Sequence, residues 1–402
     1  PPATDPINDE LLALLNENWV LPAKWTGVLF KNVIGQTRIK LQLTKGVADN
    51  RVSHAQLFLG PEGSGNLAMA LAYSQYINCE NKQTVATEDG TVHGDSCGTC
   101  PSCLKAQKFI HPDIHFTFPF VKTDKKEVCA DWMVEWRQFM LNTPYGGYNE
   151  WITQIIEGEN KQGNITAREC QEIMRRLSLK NYESTYKIII LWLPEYLGNE
   201  GNRLLKILEE PPENTVFILI AHDQERIINT IMSRVQIVKF PRIADQDMIP
   251  AIVERFKVGL PQAKKIAALS DGNFNEATQL IDIHEDANTT MIREWMEACY
   301  RHNVKALFAW NDRFVKMGRE QQKNFFQYCL HFFREVLLLE AGAGSLSKLS
   351  DAELKTAEGL GKVLGVDRIT FILELFDKCI YFVERNVNAK IMMTFVSVTL
   401  LK

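Results

Sequence analysis

Two stretches hold residues whose types and spacing suit chemistry. The first is Gly60-Pro61-Glu62-Gly63-Ser64-Gly65-Asn66-Leu67. It follows the apolar run Ala55-Gln56-Leu57-Phe58-Leu59 and precedes Ala68-Met69-Ala70-Leu71-Ala72-Tyr73. Strand, glycine-rich turn and helix is the setting in which backbone N–H groups and a helix N-terminus hold a phosphate. Gly60, Gly63 and Gly65 keep that frame. The lysine that would reach the β- and γ-phosphates is replaced by Asn66, and the Ser or Thr that would hold Mg²⁺ by Leu67. The loop keeps its shape residues and lacks its working ones, so ATP binding is not expected.

The second stretch is Cys97-Gly98-Thr99-Cys100-Pro101-Ser102-Cys103, two overlapping CxxC steps, with Cys79 upstream at the end of the helix that follows the loop. Thiolates at this spacing can wrap one tetrahedral ion, because Gly98 and Pro101 turn the chain back between them. Zinc is the expected ion. Four free thiols, a CxxC redox pair, an Fe–S cluster and replacement of one ligand by His93 are the alternatives. With four protein ligands no position stays open for water, so the site is structural. The other five cysteines, Cys129, Cys170, Cys299, Cys329 and Cys379, are scattered singly and read as small buried hydrophobes.

ATP hydrolysis also needs an acid at a strand tip to hold Mg²⁺ and polarise water. The obvious strand, Lys187-Ile188-Ile189-Ile190-Leu191, runs into Trp192 and Leu193. The nearest carboxylate, Glu195, lies beyond Pro194. The next strand ends at His222-Asp223, where a polar side chain can sense a phosphate, although a solvated loop histidine is the plainer account. Arg234, in Met232-Ser233-Arg234-Val235, taken alone is a surface arginine or half of an ion pair.

These residues need a scaffold, and the hydrophobic pattern supplies one. Short buried strands at 55–59, 186–193, 215–221 and 235–240 alternate with helices such as 165–179 and 202–210, and strand character also begins at His111-Pro112-Asp113-Ile114. That alternation means a parallel sheet covered on both faces. A helical stretch is expected from Phe30 through Val47, and residues 80–111 read as polar and turn-rich. Residues 122–165, with Trp132, Trp136, Trp151 and the turn Pro144-Tyr145-Gly146-Gly147, read as helix and loop packed outside the core. Strands stop after Pro241. Residues 246–285 read as short helices broken at Gly259-Leu260-Pro261 and Asp271-Gly272. Beyond 287 the pattern is helical: 291–301, 304–317, 321–341, 351–361, 367–384 and 389–401. Phe325, Phe326, Tyr328, Phe332 and Phe333 line one helix, as a bundle core or subunit interface does. The domains are therefore an N-terminal extension (1–27) with a short helix near 9–15, an α/β domain (28–243) carrying a cysteine module (79–103), a small helical lid (244–286) and an all-α domain (287–402).

Length and charge set outer limits. A chain of 402 residues has room for two or three domains. Its net charge of −4 argues against a generally basic nucleic-acid binder. No apolar run approaches the roughly 18–20 residues of a membrane helix, and the N-terminus shows no signal-peptide pattern, so a cytoplasmic protein without membrane contact is expected.

The order of segments resembles the bacterial clamp-loader subunits of the AAA+ class. Phe30–Gln36 resembles the segment that contacts adenine there, and Arg51-Val52-Ser53-His54-Ala55 precedes the loop as in that family. Leu204-Leu205-Lys206-Ile207-Leu208-Glu209-Glu210-Pro211-Pro212-Glu213 is similar to the family's LLKxLEEPP stretch, and Ser233-Arg234-Val235 to its Ser-Arg-Cys, with valine for cysteine. Four cysteines after the loop helix mark the bacterial members. Gly272-Asn273-Phe274-Asn275 sits at the sensor-2 helix, with Asn275 in place of arginine. Loss at Asn66, Leu67, Trp192, Leu193 and Asn275, with Arg234 and four cysteines kept, resembles the delta-prime subunits rather than the gamma/tau ATPases. The resemblance implies a non-hydrolysing stator of the ring within a DNA polymerase III holoenzyme. Arg234 would be an arginine finger acting on a neighbour's nucleotide, and 287–402 an oligomerisation collar whose aromatics are partly interface. The implied partners are gamma/tau-type ATPase subunits and delta, with the sliding clamp and primer-template DNA reached through the complex. The alternatives are a nucleotide-binding clamp-loader ATPase with a divergent loop, and a zinc-anchored nucleic-acid adaptor outside any ring.

Overall fold

The computed structural model describes residues 29–86, 92–156, 162–281, 285–342, 349, 351–385 and 387–400. The expected extension 1–27 and its helix lie outside the described residues. The chain divides into two compact units, one of residues 1–263 and 271–278, the other of residues 264–270 and 279–402.

The first unit is built on a parallel sheet. Its strands are β1 (Ala55–Leu59), β4 (Ile114–Thr117), β5 (Lys187–Trp192), β6 (Thr215–Ala221) and β7 (Gln236–Lys239), in the order β4-β5-β6-β1-β7. Leu57 lies opposite Leu219 on one side and Ile237 on the other. β5 and β6 are buried along their whole length, as strands covered on both faces must be. β1 is an interior strand between β6 and edge strand β7, and the loops after β1, β5 and β6 leave the carboxyl end of the sheet side by side. Crevices beyond the carboxyl ends of such strands are where open α/β sheets bind ligands.

The expected strands at 186–193, 215–221 and 235–240 are present to within one residue at each end. Three expectations change. The polar stretch 80–111 contains an antiparallel hairpin, β2 (Gln83–Ala86) with β3 (Val92–Asp95), and a helix, α3 (Pro101–Gln107). Its inward side chains are polar: Asp95 is buried and accepts from the amides of Phe30 (2.9 Å), Lys31 (3.0 Å) and Ser96 (2.8 Å). The helical stretch from Phe30 is broken. A 3-10 turn (Phe30–Asn32) is separated from α1 (Thr37–Ala48) by Gly35 and Gln36, both at φ 58°. The tryptophans of 122–165 form core rather than an outer layer. Trp136 and Trp151 are fully buried, Phe118 stacks on Trp136 at 4.1 Å between ring centres, and Trp192 meets Trp136 at 5.2 Å.

The second unit is all helical among its described residues. Helices Glu285–Tyr300, Val304–Val315, Arg319–Glu340, Asp351–Glu384 and Ala389–Leu400 follow the sequence pattern. Asp351–Glu384 is broken at Gly365 (φ 68°, ψ 166°), between the two helices expected there. Phe325, Phe326, Tyr328, Phe332 and Phe333 are all buried in this unit's own core, so they are bundle core and not interface. Trp295 stacks on Trp310 at 4.8 Å beside them. A buried ion pair, Lys265 Nζ to Glu353 Oε2 at 2.7 Å, lies in the same unit.

His115 on β4 gives the fold a pH dependence. Burial, then the cations of Arg176 and Lys187, push its pKa down to about 4 from 6.5. Between those values the unfolded chain binds a proton that the folded chain does not, so stability falls as pH falls through that window. His115→Gln is expected to flatten the slope of melting temperature against pH between about 6.5 and 4. An unchanged slope, measured by thermal melts, would assign the dependence to other groups.

Candidate functional site

The phosphate loop forms as the sequence predicts: β1, then residues 60–65, then α2 (Asn66–Asn78). Gly65 caps α2 with φ 86°, and Gly63 stands at φ 71°, conformations that glycine adopts without strain. The loop's first amide, Gly60 N–H, donates to the Ala221 carbonyl at 3.1 Å and ties it to the end of β6.

Asn66 does not face a ligand. Its Nδ2 donates to the carbonyls of Gly60 (3.2 Å) and Ala221 (3.4 Å), and its Oδ1 accepts from the Leu67 amide (2.8 Å). It is 3% exposed. The position of a phosphate lysine has become an internal strut. Leu67 is buried in a helix all of whose residues are buried, so the position of a magnesium hydroxyl is core.

The strand tips follow the same pattern. Trp192 is buried among aromatics, and Leu193 turns the chain at φ 58°. Glu195 folds back onto β6, where its Oε1 accepts from the amides of His222 (2.6 Å) and Asp223 (3.0 Å). It caps a strand end. His222 is half-buried, and burial pushes its pKa down despite the carboxylate of Glu195. Asn275 does reach the loop, donating to Glu62 Oε1 at 3.3 Å. Just before it, the Phe274 amide donates to the Gly63 carbonyl at 3.1 Å. Tyr145, Glu62 and Asn273 also crowd the loop. In the sequence the only signal for Tyr145 was a turn, Pro144-Tyr145-Gly146-Gly147, whose partner lies far away along the chain.

Arg234 lies apart from these groups, between helix Asn229–Met232 and the edge strand β7. Its Nε pairs with Glu209 Oε2 at 2.9 Å, and its NH1 donates to the carbonyl of Thr230 (3.0 Å) and to Ser233 Oγ (3.2 Å). Two of the recognised motifs, Leu204–Glu213 and Ser233–Val235, therefore meet in one exposed ion pair.

The cysteines gather as expected. Cys79, Cys97, Cys100 and Cys103 place all four sulfurs within 4.8 Å of one another, and among the described residues they are the one cluster of three or more metal-ligating side chains. Cys79 Sγ to Cys97 Sγ is 3.7 Å and Cys97 Sγ to Cys103 Sγ is 3.9 Å. Four sulfurs about 2.3 Å from a central ion stand about 3.8 Å apart, so these edges fit a tetrahedral metal. Amides support the sulfurs: Cys97 N–H donates to Cys79 Sγ (3.3 Å) and Cys100 N–H to Cys97 Sγ (3.3 Å). Burial raises the Cys97 thiol, but donors from Thr99 and Cys100 outweigh it and bring its pKa down to about 6. His93 stays out of the cluster and packs its ring edge-on against Phe30. The residues fit a structural metal that joins the end of α2 to α3.

A five-stranded parallel sheet with a phosphate loop after its interior strand β1, followed by a helical unit, defines an AAA+-type protein. The family model described as "DNA polymerase III, delta subunit" matches residues 35–244, just over half of the chain, and the chain belongs to that family of clamp-loader subunits. The DNA polymerase III subunit delta' of Bacillus subtilis is 24% identical over 76% of this chain and 78% of its own length. The subunit tau of the same organism is 24% identical over 78% of this chain, and subunit gamma of Buchnera aphidicola 25% over 65%. The chain spans 51% of that tau and 60% of that gamma. Overall identity therefore does not separate delta-prime from gamma/tau. A solved gamma subunit-related protein of Thermotoga maritima covers 90% of this chain and 98% of its own at 15% identity and TM-score 0.36, too loose a likeness to place any residue.

Asn66→Ala removes one donor shared by two buried carbonyls. It is expected to cost about 1 kcal/mol in chemical denaturation without altering the secondary structure. A neutral result would mean that the carboxamide does not brace the loop.

Proposed function

We propose that this chain is a delta-prime-type subunit of a DNA polymerase III clamp loader, a stator that does not hydrolyse ATP. The observation that carries this reading is the use made of Asn66. Its side chain spends its hydrogen bonds on the chain's own carbonyls, while Leu67, Trp192 and Leu193 are core. At these four positions no lysine, hydroxyl or strand-tip acid is left to clamp Mg²⁺ and phosphate. The partners are then ATPase subunits of the gamma/tau type and a delta subunit, in the cytoplasm, with sliding clamp and primer-template DNA engaged by the assembly. Among the described residues no helix is long and apolar enough to cross a membrane.

In this role the chemistry lies at Arg234. A guanidinium offered to a neighbour's γ-phosphate stabilises the charge of phosphoryl transfer. Arg234 is suited by its edge position and by a partner it can release. Glu209 is well exposed, and exposed pairs of this kind contribute little to stability. The tetrathiolate, Cys79, Cys97, Cys100 and Cys103, takes zinc as a structural ion. The helical lid (244–286) and collar (287–402) complete the subunit, the collar joining the ring.

Three outcomes are expected. The pure chain shows no ATP turnover with Mg²⁺; turnover that co-purifies with it would favour the divergent-ATPase alternative. Arg234→Ala in the assembled complex lowers DNA-stimulated turnover by about tenfold or more at the site it serves, while the complex still assembles on a sizing column. Normal turnover in that complex would remove the finger role. Elemental analysis finds about one zinc per chain, and Cys100→Ser releases it and lowers the melting temperature. Iron with visible absorption would point to a cluster instead.

A further inference from the structure

We propose that the mouth of the phosphate loop is filled by this chain's own turn, residues 144–147, with Tyr145 as a resident plug. The inference rests on the loop being retired from nucleotide work, and accounts for what keeps it closed.

The turn joins two helices, Met133–Asn142 and Tyr148–Ile155. It touches the loop on two sides. On one, the Tyr145 ring lies on Gly65, the residue that caps α2: a Cβ added at Gly65 would stand 3.1 Å from Tyr145 Cε1. The hydroxyl reaches past the loop and accepts from the Ile34 amide at 2.9 Å, within the segment expected to contact a base. The ring meets Phe274 at 4.9 Å, and Phe274 is itself bonded to Gly63 through its amide. On the other side, the carboxylate of Glu62 presses on Gly147, where an added Cβ would stand 2.2 Å from Oε1. Asn273 closes over Gly63, with Oδ1 1.7 Å from where a Cβ would lie.

The fit requires the turn's glycines. A Cβ on Gly146 would stand 2.7 Å from Phe139 Cζ and 2.9 Å from the Thr143 carbonyl. An anion approaching the amides at the start of α2 meets an aromatic ring in van der Waals contact with the loop and a carboxylate beside it. Both exclude a nucleoside polyphosphate, one by volume and the other by charge. The plug is separate from the lost side chains, so restoring those alone does not reopen the site.

The test compares Asn66→Lys/Leu67→Thr with the same pair plus Tyr145→Ala, each full-length and checked for a cooperative melt. Labelled ATP with Mg²⁺ is the probe, by equilibrium dialysis up to about 1 mM. The expected result is no binding with the plug in place and at least about tenfold tighter binding without it. Equal affinity in the two proteins overturns the proposal, and so does a folded Tyr145→Ala combination that stays closed. Should that combination not fold, Tyr145→Phe in the natural background decides. Losing the hydroxyl should speed hydrogen exchange at the Ile34 amide about tenfold, and unchanged exchange overturns the plug. These contrasts are made on the isolated chain, so they stand or fall apart from assembly into a clamp loader.

Discussion

The carboxamide of Asn66 is the joint on which the nucleotide-facing end of the sheet depends. Its NH₂ group holds the carbonyl where β1 ends and the carbonyl where β6 ends, and the Gly60 amide completes the junction. In a working phosphate loop a long charged side chain would leave this corner to reach a ligand. Here a short neutral one stays inside, giving the Gly60 carbonyl a donor and the Ala221 carbonyl a second one beside the Gly60 amide. Asn66 makes this a structural corner, and Glu195 caps the end of β6 from the β5 side.

The same helix links this corner to the cysteines. α2 begins at the loop and ends against Cys79, so about 20 Å of buried helix separates the loop from the cysteine cluster. A fully buried helix transmits its position faithfully, because its packing leaves no room for adjustment. A metal at Cys79, Cys97, Cys100 and Cys103 would fix one end of that helix, while the loop and Asn66 fix the other.

Much of this was legible in the sequence, for identifiable reasons. β5 and β6 announce themselves because strands buried on both faces must be apolar throughout. The CxxC spacing forecasts the cluster because three of its ligands come from seven residues, and the chain's local geometry does the gathering. The positions at which ATPase side chains are expected and absent could be named because each has a required residue type. What escaped was held by polar or remote contacts. The hairpin Gln83–Ala86/Val92–Asp95 buries Asp95 and His93 instead of an apolar row, so no alternation betrays it. Tyr145 reads as a turn residue, since nothing near it in sequence says that its hydroxyl will meet Ile34. Trp136 and Trp151 read as lying outside the core because the core they join is assembled from three separate segments.

The strand order also bears on how the chain reaches this state. β1 is flanked by β6 and β7, both far along the sequence, so the centre of the sheet cannot close until most of the first unit has been made. Contacts of such long range fold slowly, because a large loop must be ordered before any pairing rewards it. The cysteine module needs no such wait. Cys79 through Cys103, with the β2–β3 hairpin between them, is nearly contiguous, and a metal could organise it while the strands that will surround β1 are still unpaired. The insertion would then be the first ordered piece of the domain, an early anchor for the end of α2 rather than a late ornament on a finished sheet.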